Sequence, residues 1–571
     1  MRLSVELQNG NVSTTPKWPI IMRWNLFSVA SIAVTPLYKG KKISSTLINM
    51  LVAVLLTALY NDSLWVSLLQ IVGVKSLSSV YFYLIFFILS SSVCFNLLSI
   101  PALFPGHKYS LILTVIGAAM GSYFIDHYGV YIDSEMIVNV LQTDSSETLE
   151  LFNAGFVLHF MIYAALPALL IFKLDIFQDH SLKGTIRTIC IPAISLMIAL
   201  VLCLPSCQTM ASVMRTHKEI RYLVTPSNII YGAAKALSDS EEMAPNITPL
   251  DATVRLGDTW QTHQAKPLLF VLIVGETARA ANFALDGYAR NTNPNLAGKD
   301  IIYYSDVTAC GTSTAISLPC MFSDNKRSEF SRKAAAKKEN LLDLIAQAGI
   351  HVSWLDNNSG CKGVCMRTPQ LSLKYDNETC TSEHCFDLAM LQALAAPASN
   401  DQFIVMHQQG SHGPSYYKQT PENLAGFSPI CKTSQLQDCS HEEIVNAYDN
   451  TILYTDLFIG QTIERLEQLS ESYTTALIYI SDHGESLGEK GIYLHAAPYF
   501  MAPKEQVEVP MLAWLSDGFS ERFAVDRRCL KKAAERPISH DNLFSSVLGL
   551  LDISSAVYDL KLDIFRDCTS R

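Results

Sequence analysis

The sequence predicts a chain in two parts, a helical membrane domain followed by an α/β domain that faces outward. Three observations carry this reading. Hydrophobic residues make up 49% of the 571 residues and charged residues 17%; soluble chains average about 25% charge, so part of this chain belongs in lipid. Residues 43 to 206 hold five apolar stretches of about 20 residues each, the length that crosses a bilayer. Ten of the 14 cysteines fall between Cys310 and Cys568, mostly at short spacings, as disulfides in an oxidising compartment do.

Residues 1–42 form a basic N-terminal arm with Arg2, Lys17, Arg23, Lys39, Lys41 and Lys42. Within it, the short apolar run Trp24–Tyr38 reads as an interfacial segment. The five-span domain covers 43–207. The first span runs from Thr46 to Val72, interrupted by Asn61 and Asp62, and the others start near Val80, Tyr109, Gly155 and Ile189. The loop between spans three and four has no Lys or Arg but has Asp133, Glu135, Asp144, Glu147 and Glu150. Lys/Arg asymmetry places the arm in the cytoplasm and everything after Pro205 outside. Residues 208–265 read as a linker with a bridging helix in "TPSNIIYGAAKAL". The net charge of −10 and the lack of a basic stripe exclude a nucleic-acid partner.

Residues 266–571 alternate short apolar strands with helices, the pattern of an α/β domain. Expected strands are 267–275, 351–355, 402–407, 475–481 and 509–516; expected helices are 340–349, 448–469 and 540–551. Four strands run into polar clusters: Glu276; Asp356, Asn357 and Asn358; His407 and His412; Asp482 and His483. In open α/β sheets the ligand crevice lies beyond the carboxyl ends of the strands, so these clusters converge.

Asp482, His483 and His495 in "SDHGESLGEKGIYLH", with Glu276, make a mixed oxygen/nitrogen set suited to zinc, less so to manganese. The blander alternative is a set of capped surface loops. A divalent metal held this way lowers the pKa of a coordinated hydroxyl. The loop "ACGTSTAISLPC" offers Thr312, Ser313, Thr314 and Ser317 between Cys310 and Cys320. If "STAISL" starts a helix, its first amides favour a bound phosphate, and the combination points to phosphoryl-type transfer through a covalent intermediate.

The stretches "VGETARAANFALDGYARNTNPNL", "CGTSTAISLPCMFS", "DNNSGCKGV", "GSHGPSYY", "YDNTILYTD" and "SDHGESLGEKGIYLH" occur in this order. Together they resemble the lipid A phosphoethanolamine transferases, the family that includes the mobile colistin-resistance enzymes of Gram-negative bacteria. The resemblance spans the whole chain. It implies a multi-pass protein of the Gram-negative inner membrane with a periplasmic domain of alkaline-phosphatase/sulfatase type. It also implies that Thr314 is the nucleophile, with Thr312 and Ser313 as the fallback. Glu276, Thr314, Asp482 and His483 match a tight zinc site. His412 and His495 match residues at the substrate phosphate or at a second zinc, and Lys362 matches a lysine near the phosphoryl group. Ser359, Asn139, Thr143 and Glu147 match positions that hold the ethanolamine headgroup.

The implied reaction is a ping-pong transfer of phosphoethanolamine from phosphatidylethanolamine to lipid A by a monomer, which weakens the binding of polymyxin and other cationic peptides. Cys310, Cys320, Cys361, Cys365, Cys380, Cys385, Cys431, Cys439, Cys529 and Cys568 are expected in disulfides, with Cys310–Cys320 closing the Thr314 loop; Cys203 and Cys207 are close enough in sequence to pair as well. Rival readings are transfer to a core sugar, glycerol-phosphate transfer as in lipoteichoic-acid synthases, and an inactive membrane sensor or scaffold. A sulfatase would want a C/S-x-P-x-R setting, which "CGTSTA" lacks.

Overall fold

The computed structural model describes residues 42–74, 76–142, 151–238, 247–261, 266–381, 384–394 and 400–570. Thr143 and Glu147, the apolar run Trp24–Tyr38 and almost all of the N-terminal arm lie outside them. Among the described residues, four helices are long and apolar enough to cross a membrane. They are α3 (Leu77–Ser99, extended by a turn to Leu103), α4 (His107–Tyr128), α6 (Ala154–Lys173) and α7 (Leu182–Cys203), which runs on through α8 (Cys207–Thr216).

The expected first span is not one straight helix. It is a pair, α1 (Ser45–Leu59) and α2 (Asp62–Val72), bent by 60°. Asn61 explains the bend. Its buried amide donates to the Leu56 carbonyl at 2.9 Å and to the Thr225 carbonyl at 2.9 Å, and its Oδ1 accepts the Thr225 amide at 2.7 Å. A buried amide with partners on both sides holds the turn and pins the bridging segment to it. That segment contains α9 (Ile220–Leu223) and α10 (Ser227–Ser238). Cys203 and Cys207 are both free thiols. Cys203 is buried and Cys207 exposed.

The C-terminal domain is built on a seven-stranded sheet. In chain order its strands are β1 (Leu268–Gly275), β2 (Ile302–Tyr304), β3 (His351–Asp356), β4 (Gln370–Leu371), β5 (Gln402–His407), β6 (Thr474–Ser481) and β7 (Met511–Leu515). The spatial order is β2-β7-β6-β1-β5-β3-β4. The five strands from β6 to β4 run parallel, with Ser481 opposite Gly275 and His407 opposite Val274. β7 and β2 close one edge antiparallel.

β1 is buried along its whole length. Its residues alternate between two cores, Leu268, Phe270, Leu272 and Val274 on one face and Leu269, Val271 and Ile273 on the other, as period-2 geometry requires of a strand covered on both sides. The first core takes Leu318 and Met321 of α11 (Thr314–Met321), Leu341 and Ile345 of α12 (Leu341–Gln347), and Leu543 and Val547 of the last helix (Leu543–Leu550). The second takes Ile444, Ile452 and Phe458 of the long helix α13 (His441–Leu469).

α13 starts seven residues before the expected Tyr448. Ser440 accepts the Glu443 amide while Glu443 reaches back to the Ser440 amide, a reciprocal cap that starts a helix through polar sequence. The last helix is shorter than expected because residues 540–542 form a 3-10 turn. The two halves of the chain meet at α5 (Ser134–Gln142), where Val138 packs with Ala236 of α10 and Ala315 of α11.

Candidate active site

Glu276 follows β1 directly. The next residue, Thr277, takes φ 58°, a left-handed conformation that costs a β-branched residue about 1–3 kcal/mol. This sharp turn leaves the Glu276 carboxylate at the end of the sheet with no exposure. Gly410 (φ +55°) passes so close that a Cβ there would lie 2.6 Å from the Glu276 carbonyl oxygen, so the "QGSHG" loop needs glycine at this point. Asp482 and His483 leave β6 beside Glu276 in the same register, both fully buried.

Thr314 is the first residue of α11. Its Oγ1 lies 3.2 Å from Glu276 Oε2, 3.3 Å from Oε1 and 3.3 Å from His483 Nε2. His483 Nε2 is 3.3 Å from Asp482 Oδ2 and 3.5 Å from Glu276 Oε1. The neighbouring hydroxyls are placed differently. Thr312 Oγ1 donates to the Ala497 carbonyl at 2.7 Å, and the buried Ser313 Oγ has no hydrogen-bond partner among the described residues. The Ser317 hydroxyl donates to the Asp482 carbonyl and lies 3.2 Å from His540 Nδ1, which clamps α11 to the end of β6. Cys310 and Cys320 are bonded, as are Cys361–Cys365, Cys380–Cys385, Cys431–Cys439 and Cys529–Cys568.

The electrostatics are those of a cation site. Glu276, Asp482 and His483 can each aim one donor atom at a common point. Burial favours the neutral acid at Glu276, but His483, His412 and His407 outweigh it and hold the carboxyl down at about 2. Asp482 is pushed well above the carboxylate range, first by burial and then by the charge of Glu276. Burial also lowers the His483 imidazole, which favours the neutral form that serves as a ligand. Asp482 Oδ2 is buried and accepts no hydrogen bond. Two inward-facing carboxylates, one of them with an oxygen left without a hydrogen bond, together with an imidazole and a hydroxyl fit a divalent metal that takes oxygen and nitrogen donors.

His495 and His412 sit at the edge of this cluster. The His495 ring centre is 4.6 Å from that of His483 and 5.5 Å from that of His412. Glu485 Oε2 is 3.2 Å from His495 Nδ1, and burial lifts the Glu485 carboxyl to about 8. Lys362 Nζ donates to Ser359 Oγ at 2.8 Å and to the Gln142 carbonyl at 3.3 Å. Ser359 and Lys362 therefore meet the end of α5, the half-buried helix that carries Asn139.

Several residues around the site had no assigned role in the sequence reading. Asn358 donates to Glu276 Oε2 at 2.7 Å, and the Thr277 hydroxyl donates to Glu276 Oε1. His407, fully buried, has Nε2 4.0 Å from Glu276 Oε2 and Nδ1 3.3 Å from Asp356 Oδ2. The signal for Asn358 and His407 was their place at the ends of β3 and β5. Nothing in the sequence marks Glu485 beyond its closeness to Asp482.

The chain is similar to known proteins over most of its length. Residues 269–553 match the Sulfatase family, and residues 85–240 match the family described as Phosphoethanolamine transferase EptA/EptB. The chain is similar to phosphoethanolamine transferase EptA of Escherichia coli (strain K12), 36% identical over 534 residues, covering 91% of this chain and 97% of that protein. It is 37% identical over 479 residues to phosphatidylethanolamine transferase Mcr-1 of Escherichia coli, covering 80% and 87%. Among solved structures, the integral membrane lipooligosaccharide phosphoethanolamine transferase A of Neisseria meningitidis superposes with a TM-score of 0.88 at 34% identity, over 93% of this chain and 100% of that one. An N-terminal apolar helical region and a C-terminal domain of sulfatase type, similar over nearly their whole length to these enzymes, make the chain a member of the lipid A phosphoethanolamine transferase family.

Proposed function

We propose that this enzyme moves phosphoethanolamine from phosphatidylethanolamine to a phosphate of lipid A, with Thr314 as the covalent carrier and zinc in the Glu276–Thr314–Asp482–His483 cluster. One observation carries the reading. Of the three adjacent hydroxyls, it is the Thr314 hydroxyl that lies within 3.3 Å of both Glu276 and His483. Zinc bound there would offset the carboxylate charge, favour the ionised hydroxyl and stabilise negative charge growing on the phosphoryl oxygens.

Thr314 Oγ1 attacks the phosphorus of the donor, the bond to the diacylglycerol oxygen breaks, and a phosphoethanolamine–threonine ester remains. A lipid A phosphate oxygen then attacks the same phosphorus and frees Thr314. The start of α11 at Thr314 leaves helix-terminal amides next to the phosphoryl group, which suits an anion. His412 and His495 flank the centre and are placed to give a proton to the departing diacylglycerol oxygen. Glu485, at 3.2 Å from His495 Nδ1, orients that ring. Ser359 and Asn139 are assigned to the headgroup side, and Thr143 and Glu147 continue it in sequence; Lys362, bonded to Ser359 Oγ and to the Gln142 carbonyl at the end of α5, is assigned to the phosphoryl group.

The chain would act as a monomer in the inner membrane of a Gram-negative cell, with the broken first helix pair as a fifth span and the catalytic domain in the periplasm. Mass spectrometry of lipid A from cells producing the chain or its Thr314→Ala variant tests the reading. Added phosphoethanolamine and reduced polymyxin susceptibility are expected with the former alone. An unmodified lipid A together with a modified core oligosaccharide would overturn the acceptor.

A further inference from the structure

A cationic, aromatic patch lies between the 217–222 segment and the loop that follows His495. Lys218 Nζ sits 5.7 Å from the centre of the Phe500 ring. The Arg221 guanidinium lies 5.7 Å from the same ring and 4.7 Å from that of Tyr222, and Arg221 Nη2 donates to the Tyr222 hydroxyl at 2.8 Å. The Tyr222 and Phe500 ring centres are 6.2 Å apart, and Phe500 is 53% exposed. Among the described residues, no carboxylate pairs with Lys218 or Arg221. The nearest one in sequence, Glu219, is held by His217 Nδ1 at 2.8 Å. Ring faces fix two cations here without neutralising them.

This patch is tied to the reacting hydroxyl. The Ala496 amide donates to the Thr312 carbonyl at 2.6 Å, and Thr312 Oγ1 donates to the Ala497 carbonyl. The loop carrying Phe500 is thus fastened two residues before Thr314. Phe500 is three residues past Ala497, at most about 11 Å of chain. On its other side the patch adjoins an open cavity of about 450 Å³ between α2 and α8. Ile71, Val72 and Val213 form its aliphatic wall and Ser212, Thr216 and His217 its polar one. Aliphatic and hydroxyl walls below a cationic rim match the acyl, ester and phosphate layers of an anionic lipid.

We infer that Lys218, Arg221 and Phe500 form the docking site for the phosphorylated acceptor lipid, separate from the place where the donor headgroup reacts. The inference rests on the transferase reading above. Charge decides between the two lipids. Phosphatidylethanolamine is zwitterionic, its phosphate charge offset by its own ammonium group, whereas the acceptor carries net negative phosphate charge and must reach Thr314 after diacylglycerol has left.

Binding of lipid A to full-length Thr314→Ala protein in nanodiscs of neutral lipid tests the site without turnover. Adding Lys218→Ala and Arg221→Ala should weaken binding about tenfold or more, the loss expected for charge-assisted phosphate contacts. Arg221→Lys with Lys218 intact should recover most of it, which a merely unfolded variant would not. In the otherwise native enzyme, the double variant should raise the acceptor KM by a similar factor and leave acceptor-independent release of diacylglycerol unchanged. Unaltered lipid A binding, or equal competition by phosphatidylglycerol, would overturn the docking site. A native chain that binds lipid A through this patch yet transfers nothing would overturn the transferase reading instead.

Discussion

Asn358 donates its side-chain amide to Glu276 Oε2 at 2.7 Å, and the same nitrogen donates to the Gln408 carbonyl at 2.8 Å. The residue ties three strand ends together and fixes one oxygen of a metal-facing carboxylate. Such supporting bonds orient ligands, and their loss usually weakens metal binding about 10- to 100-fold. Asn358→Ala is expected to show a loss of that size in competition with a chromophoric zinc chelator, with the fold intact. Asn358→Asp should be worse, because it sets a third carboxylate against Glu276. Zinc affinity unchanged in Asn358→Ala would remove Asn358 from the site.

The opposed shifts of Glu276 and Asp482 set the response to metal removal. Raised in the fold, the Asp482 carboxyl adds stability below its ordinary range and loses that contribution as pH rises through its folded value. Stripped of metal, the site should therefore be most strained at neutral and alkaline pH, where Asp482 is forced to ionise beside Glu276. A chelator is expected to lower the thermal unfolding midpoint more at pH 8 than at pH 5, and to lower it less in Asp482→Asn than in the native chain. Equal drops at both pH values would show that the cluster does not hold the stabilising ion.

Much of the site was legible because parallel strands put their carboxyl ends together, so Glu276, Asp482 and His483 could be joined across more than 200 residues from strand pattern alone. Thr314 followed from a hydroxyl-rich loop closed by Cys310 and Cys320. Features set by tertiary partners were not legible. The bend at Asn61 depends on Thr225, which lies 164 positions away. The early start of α13 depends on a cap rather than on apolar periodicity. Asn358 looked like any polar residue after a strand until the Glu276 contact placed it.

Ala315 follows the proposed nucleophile and is fully buried against Val138 and Ala236. The membrane half thus packs directly on the catalytic helix, and a methyl group is all the contact accommodates. Ala315→Leu would overpack it by about 1–3 kcal/mol if both halves stayed in place. The strain is most readily relieved by moving α5 and α10 away from α11. Phosphoethanolamine transfer to lipid A should then fall sharply while zinc binding stays at the native level. Ala315→Ser should be mild. Native transfer by Ala315→Leu would show that this contact does not position the two halves.

Asp456 on α13 accepts the Asn295 amide at 2.8 Å, the Asn295 side chain at 2.8 Å and the Leu296 amide at 3.2 Å, which anchors the "NTNPNL" loop. Burial raises its carboxyl from 3.8 to about 6, against the lowering effect of those bonds. The folded protein holds this proton more tightly than the unfolded chain. The resulting stability is present below the unfolded value and is lost as pH climbs through the folded one, at most roughly 3 kcal/mol over that window. Asp456→Asn cannot titrate and keeps no such dependence. The variant's stability deficit, read as the difference in thermal midpoint from the native chain, should therefore shrink between pH 4 and pH 7. A difference that stays constant across that range would mean that Asp456 remains ionised throughout and that its three donors outweigh its burial.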